Sequence, residues 1–257
     1  MFQSTTIADL NHQHLLNVIH GSAFGLHIKG FAAPEIIQRA KDSLYPHQQQ
    51  TLLDNQTEYV RVGKAFIEVK NDSDREDYHQ VALPNIQFIR QAFKPFASPV
   101  DELRLLLEEI WPAGARLLQI EGKKCFVGVC RFQRTGVDLI PHTDNLTRHA
   151  PPQPQPLLKQ LSANIYLDIP EQGGELEMWN IEPSEEEYRQ LQGEKGYGLD
   201  RNTLPPPTAV IKPEPGDLIL LNPRFIHAVR PSSQSNRVTL SSFVGYFGED
   251  QPLAYWS

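Results

Sequence analysis

His142, Asp144 and His227 are the residues of this chain whose types and spacing can do chemistry. Imidazole nitrogen and carboxylate oxygen both suit Fe(II). Two histidines and one carboxylate can hold one face of the ion and leave the other open to exogenous ligands. Residues two apart on a strand point to the same side, so His142 and Asp144 project together while Thr143 turns away. His227 lies in the apolar run Phe225-Ile226-His227-Ala228-Val229 and must arrive from a facing strand. Arg237 follows ten positions later. A guanidinium fork matches a carboxylate bidentately, so Arg237 suits an anionic co-substrate. Together these residues point to oxygen-using iron chemistry. Taken singly, His142 reads equally as a surface-strand histidine and His227 as a core histidine bonded to a carbonyl, because a bare H-x-D arises often by accident.

Strands must supply this geometry. From Arg116 onward, short apolar runs alternate with turn residues: Arg116–Ile120, Phe126–Phe132, Leu139–Asp144, Leu161–Asp168, Gly174–Trp179, Thr208–Lys212, Asp217–Leu221, Phe225–Val229 and Arg237–Tyr246. Many short strands at close spacing predict a sandwich or barrel rather than a parallel βαβ sheet. Residues 1–115 read as mixed support, with strands at Gly25–Phe31 and Val60–Val69 and helices at Pro34–Ala40 and Pro99–Trp111. The expected fold is mainly β, a double-stranded β-helix (jelly roll) with flanking helices. Residues 1–257 form one domain in this reading, with residues 116–247 as its core. Two stretches interrupt the strands: the proline-rich 151–156, and 182–207 with a helix expected at Pro183–Leu191. They are surface loops or a lid over the pocket mouth.

Composition bounds the rest. The 257 residues carry a formal charge of −7. That balance argues against a nucleic-acid partner, which would need a basic footprint. No apolar run approaches the roughly 20 residues that span a bilayer, and no basic-then-apolar leader opens the chain, so no membrane partner is expected and cytoplasm is the default. Cys125 and Cys130 read as lying on one strand with opposite facing, which predicts two buried thiols rather than a disulfide.

The motifs around the three candidate ligands carry a resemblance. Pro215-Gly216-Asp217-Leu218 precedes His227, and Arg237-Val238-Thr239 follows it. Arg131-Phe132-Gln133-Arg134-Thr135-Gly136 leads into His142, and Leu161–Leu167 is followed by Gly173-Gly174-Glu175-Leu176. Over residues 116 to 247 the chain resembles the 2-oxoglutarate- and Fe(II)-dependent oxygenases. It departs from their pattern at Ser162 and Leu176, where relatives place threonine.

The resemblance implies that His142, Asp144 and His227 ligate iron and that Arg237 pairs with the distal carboxylate of 2-oxoglutarate. Thr239 would donate to that carboxylate, while Ser162, Asn164 and Arg131 are further candidates for contacting the co-substrate. It further implies consumption of O2, oxidative decarboxylation of 2-oxoglutarate, and hydroxylation of a C–H bond in a small molecule such as a free or modified amino acid or a natural-product intermediate. Related halogenases have a small residue where Asp144 stands, so hydroxylation is expected rather than halogenation. A hydroxylase of a peptide or protein residue shares the same core, and a cupin-like metal-binding protein would leave Arg237 without a role. Arg61, Arg148, Arg224 and Arg230 fall in segments that could border the pocket, and none is assigned a role. The sequence sets no oligomeric state.

Overall fold

The structure is a computed structural model that describes residues 1–52, 58–148, 150–152, 155–193 and 197–257. The short apolar runs fold as strands: β1 (Phe2–Thr5), β2 (Gly25–Ile28), β3 (Gln49–Leu52), β4 (Glu58–Val62), β5 (Ala115–Leu117), β6 (Gln119–Ile120), β7 (Lys123–Lys124) and β8 (Val129–Gln133). They continue with β9 (Leu139–His142), β10 (Lys159–Asp168), β11 (Leu176–Met178), β12 (Ala209–Ile211), β13 (Leu218–Leu221), β14 (His227–Val229), β15 (Arg237–Tyr246) and β16 (Leu253–Trp256). Among the described residues the major sheet runs β1-β2-β13-β10-β15-β8-β4-β3, with β16 and β5 joined beside β15. The minor sheet runs β12-β11-β14-β9. Tyr166, Ile219 and Leu221 of the major sheet pack with Leu176, Met178 and Val229 of the minor one. The two sheets therefore face each other as a jelly roll.

Helices cover the far side of the major sheet. These are α1 (His12–Ile19), α2 (Pro34–Leu44), α3 (Asp72–Ala92) and α4 (Pro99–Ile110). Leu15, Leu44, Tyr78 and Leu107 from the helices share one buried cluster with Leu26, Ala163, Leu220 and Leu240 of the strands. Asn11, Asn71 and Ser98 start α1, α3 and α4 by accepting from a backbone N–H of the first turn, each such cap being worth about 1 kcal/mol. Among the described residues no helix is long and apolar enough to cross a membrane.

Several expected boundaries move. The run Val60–Val69 is not one strand: β4 ends at Val62, and Phe66–Glu68 form a 3-10 turn after Gly63, whose φ is +86°. Glu68 fixes that turn by accepting from Ala65 N and pairing with Arg61. Cys125 and Cys130 do not share a strand, because β8 begins only at Val129, after Gly128 at φ +97°. Both thiols are nevertheless buried and free, as expected. Nor is the sheet confined to residues 116–247, since β1 to β4 and β16 complete it at both ends. Helices α1 and α3 were not anticipated. In α3 the buried Tyr78, Ala82, Ile86 and Ile89 keep helical spacing, but polar residues and Pro84 mask the pattern.

The Pro-Gly-Asp motif before β13 has a structural role. Gly216 sits at φ +95°, where an added Cβ would meet the Ala32 carbonyl oxygen. Asp217 accepts from the backbone N–H of Gly30 and of Glu214 and meets His27 Nε2 at 2.6 Å. It thus ties the turn to the end of β2.

Candidate active site

His142 ends β9 and His227 opens β14, and the two residues are directly paired across the minor sheet. Each ring is aimed by its own backbone: His142 Nδ1 lies 2.7 Å from Ile140 O and His227 Nδ1 lies 3.0 Å from Phe225 O. A carbonyl only accepts, so both Nδ1 atoms carry the proton and both Nε2 lone pairs are left for another partner. Asp144 lies two residues past the end of β9, anchored by its N–H to Pro223 O at 2.9 Å. The expected strand reaches only His142, yet the side chains still alternate. Asp144 turns toward the histidines, with Oδ1 3.8 Å from His142 Nε2 and Oδ2 3.5 Å from His227 Nε2, while Thr143 turns to Arg148.

One ligand atom from each of the three residues lies within 4.8 Å of the others. Burial is the main cause of a depressed His142 pKa, pushed down to about 4, with His227 adding to the effect. Burial opposes ionisation of Asp144 as well, but the neighbouring His227, His142 and Arg131 outweigh it and hold the carboxyl well below its usual range. Two Nε2 lone pairs, left by the Nδ1 contacts to carbonyls, and a carboxylate make the donor set a divalent first-row metal takes. The residues therefore fit Fe(II).

Two cavities meet at this site. The smaller, about 80 Å³, is lined by the triad, Arg131, Gln133, Ser162, Asn164, Arg237 and Thr239. Strand pairing explains the company: Asn164 lies opposite Ser241, Tyr166 opposite Thr239, and Thr239 opposite Arg131. Arg237 is 7% exposed. Its Nη2 donates to Tyr166 Oη at 3.2 Å, its guanidinium lies over the Tyr166 ring, and its buried Nε has no partner. Among the described residues no carboxylate forms an ion pair with it, so the site holds a buried cation that lacks a counter-ion.

The hydroxyls form a chain between β15 and β10. Ser241 Oγ donates its single proton to Asn164 Oδ1 at 2.7 Å, so the 2.9 Å contact between Thr239 and Ser241 uses the Thr239 proton. The Thr239 hydroxyl lines the cavity beside Arg237. Asn164 Nδ2 donates to Ser162 Oγ at 3.0 Å, which leaves the Ser162 proton free for a ligand.

The larger cavity, about 610 Å³, opens from the other side of the triad and shares Arg131, His142, Asp144, Ser162 and Tyr197 with the smaller one. Phe66, Leu146, Phe243 and Trp256 give it apolar walls. One side is α5 (Glu185–Gln192), which contributes Tyr188 and Arg189. The segment 182–207 thus borders the chamber, whereas none of the described residues of 151–156 lines either cavity; residues 153–154 and 194–196 lie outside the described residues. Tyr197, its ring 5.4 Å from that of His142, stands at the junction. Burial and then Asp144 keep its phenol protonated. Sequence reading missed Tyr166, Gln133 and Tyr197. Strand parity from Asn164 and Arg131 would have found the first two, and no signal marks the third. The four unassigned arginines all carry carboxylates: Arg61 holds Glu68, Arg148 and Arg224 hold Glu185, and Arg230 holds Glu177.

A jelly roll with a His-Asp-His site between its sheets defines the metal-dependent oxygenase class of this fold. The chain belongs to the carrier-protein-independent halogenase WelO5 family, which matches residues 5–257, within the Fe(II)- and 2-oxoglutarate-dependent oxygenase superfamily. It is 28% identical over 166 residues to an L-gamma-glutamyl-L-propargylglycine hydroxylase of Streptantibioticus cattleyicolor, over 61% of this chain and 59% of that protein. It is 30% identical over 173 residues to leucinostatins biosynthesis cluster protein S of Purpureocillium lilacinum, over 62% of this chain and 69% of that protein. An N-substituted L-amino acid dioxygenase from Burkholderia ambifaria shares the fold at TM-score 0.64 and 15% identity, covering 95% of this chain and 90% of that one. HygX from Streptomyces hygroscopicus, solved with nickel and 2-oxoglutarate, does so at TM-score 0.51 and 15% identity, covering 92% and 87%.

Proposed function

We propose that this protein is an Fe(II)- and 2-oxoglutarate-dependent dioxygenase that hydroxylates a small molecule, an amino acid bearing a substituent or an intermediate built from one. The observation that carries this reading is Arg237, a buried cation without a counter-ion in the same small cavity as the triad. Burying an uncompensated charge is costly, and a bound carboxylate removes the cost. His142, Asp144 and His227 would hold the iron. When bound, iron with 2-oxoglutarate and O2 supplies the oxidant for a C–H bond.

The chain's own residues set the rest. Arg237, supported by Tyr166, binds and orients the far carboxylate. The Ser162 hydroxyl offers a donor at the junction of the cavities, Arg131 adds positive charge there, and Asn164 and Thr239 hold the hydroxyl network in register. The apolar walls of the larger chamber exclude water around the substrate. Its volume of about 610 Å³ lies in the roughly 300–1,000 Å³ range of sites that enclose drug-sized ligands, which favours a substituted amino acid over a free one. The names of the hydroxylase and of the N-substituted amino acid dioxygenase agree with that class.

The family name speaks of halogenation, and Asp144 favours hydroxylation. Chloride would need a position on the metal, and the Asp144 carboxylate would take it. Chloride titrated into Fe(II)- and 2-oxoglutarate-loaded wild-type protein should leave the visible spectrum unchanged and should shift it in Asp144→Gly. A chloride-dependent shift in the wild type would favour halogenation instead.

A further inference from the structure

Glu185, at the start of α5, lines the larger cavity, and four interactions converge on it from the two segments that bear the ligands. Asn145 Nδ2 donates to Oε1 at 2.6 Å, Arg148 donates through Nε to Oε2 at 2.8 Å and through Nη2 to Oε1 at 3.2 Å, and Arg224 Nη2 pairs with Oε1 at 3.5 Å. Asn145 follows Asp144 directly, and Arg224 stands three residues before His227. Arg148 also donates to the carbonyl and the hydroxyl of Thr143, on the other side of Asp144, and lies over the Tyr188 ring of α5 at 4.5 Å. The Asp144 N–H bonds to Pro223 O, so the two segments are also tied to each other beneath the carboxylate.

A lone half-exposed ion pair contributes at most about 1 kcal/mol. The consequence of this cluster is aim rather than stability. Asp144 lies beyond the end of β9, fixed in its backbone by the bond to Pro223 O, and the residues on both sides of it are held through Arg148 and Glu185 by the helix that walls the substrate chamber.

We propose that Glu185 is a positioning residue: it couples the placement of α5 over the chamber to the aim of Asp144, so that metal binding and helix closure support each other. The proposal rests on the metal site argued above. Coupling of this kind is reciprocal, because whatever α5 gives the metal the metal must return to α5.

The test uses Co(II) as the probe on the full-length, metal-free protein. In Glu185→Ala, Co(II) affinity should fall by about 10–100-fold, the usual cost of losing a group that orients a ligand. Glu185→Gln keeps an acceptor for Asn145 but lacks the charge facing Arg148 and Arg224, and should fall in between. Glu187 caps the same helix through Ser184 and touches neither ligand segment, so Glu187→Ala should bind Co(II) as the wild type does. In wild-type protein, Co(II) loading should slow amide exchange across Glu185–Gln192. Wild-type Co(II) affinity in Glu185→Ala, or α5 exchange rates indifferent to Co(II), would overturn the coupling. The exchange measurement decides alone if Glu185→Ala does not fold. Failure of wild-type protein to bind Co(II) at all would instead bring down the metal site, and this proposal with it.

Discussion

Arg237 is where residue-scale chemistry is most exposed to test. Its guanidinium is buried, bonded to Tyr166 Oη, and otherwise without a partner at Nε. A charge-assisted hydrogen bond contributes about 1.5–3 kcal/mol, so Arg237→Ala should weaken 2-oxoglutarate binding by roughly 10–100-fold. Metal affinity should stay unchanged, because no triad atom depends on the side chain. Calorimetry with the metal-loaded variant checks this; unchanged 2-oxoglutarate affinity would remove Arg237 from the site. Two-residue alternation put His142 with Asp144, Ser162 with Asn164 and Arg237 with Thr239, and the resemblance to the oxygenase family implied that these pairs and His227 share one site. Proton direction is another matter. That Thr239 spends its proton on Ser241 follows from a four-residue hydrogen-bond chain across two strands, which no pattern along one strand encodes.

At the scale of elements, turns rather than strands carry the special backbone. Gly128, at φ +97°, bends the chain into β8, and an added Cβ would lie 2.8 Å from Val100 Cγ2. Its N–H also bonds to Ser257 Oγ. Gly128→Ala should therefore destabilise the protein by at least about 1–2 kcal/mol, the cost of a non-glycine residue in the left-handed region, seen as a lower midpoint in urea. Asp217 makes a second test. Removing it in Asp217→Ala takes their partner from the N–H groups of Gly30 and Glu214, both exposed residues, and from the partly buried His27, at about 0.5–1.5 kcal/mol for each hydrogen bond lost. Stability should drop while 2-oxoglutarate affinity holds in the folded fraction; an equal loss of affinity would give the motif a role at the site. The Pro-Gly-Asp sequence was visible as a marker of the site, but its physical purpose, tying β13 to β2, required the fold. The end of β4 at Val62 was hidden for a related reason, since the Arg61–Glu68 pair that folds the following turn back is a tertiary contact.

For the whole molecule, the two sheets and the helical layer bury the reactive groups that the chemistry does not use. Cys125 and Cys130 are both buried, and burial raises both thiols, that of Cys125 to about 12. The thiolate is the nucleophile, so neither cysteine should react with iodoacetamide at pH 8 in native protein, and both should react in urea. Fast native labelling would contradict the packing around β8. The same layering divides the interior into a small cavity, proposed for the co-substrate, and a larger chamber, proposed for the substrate, which among the described residues share Arg131, His142, Asp144, Ser162 and Tyr197. That division was not legible in the sequence, because the chamber wall is made by Phe66, α5 and β16, which are distant in the chain. The central claim is that one metal and one 2-oxoglutarate meet at this junction. Its most direct test is anaerobic titration of 2-oxoglutarate into Fe(II)-loaded protein, followed by the weak visible band of the chelate. The account predicts a saturable band in the wild type that is absent in His142→Ala. Iron binding without any band would contradict it.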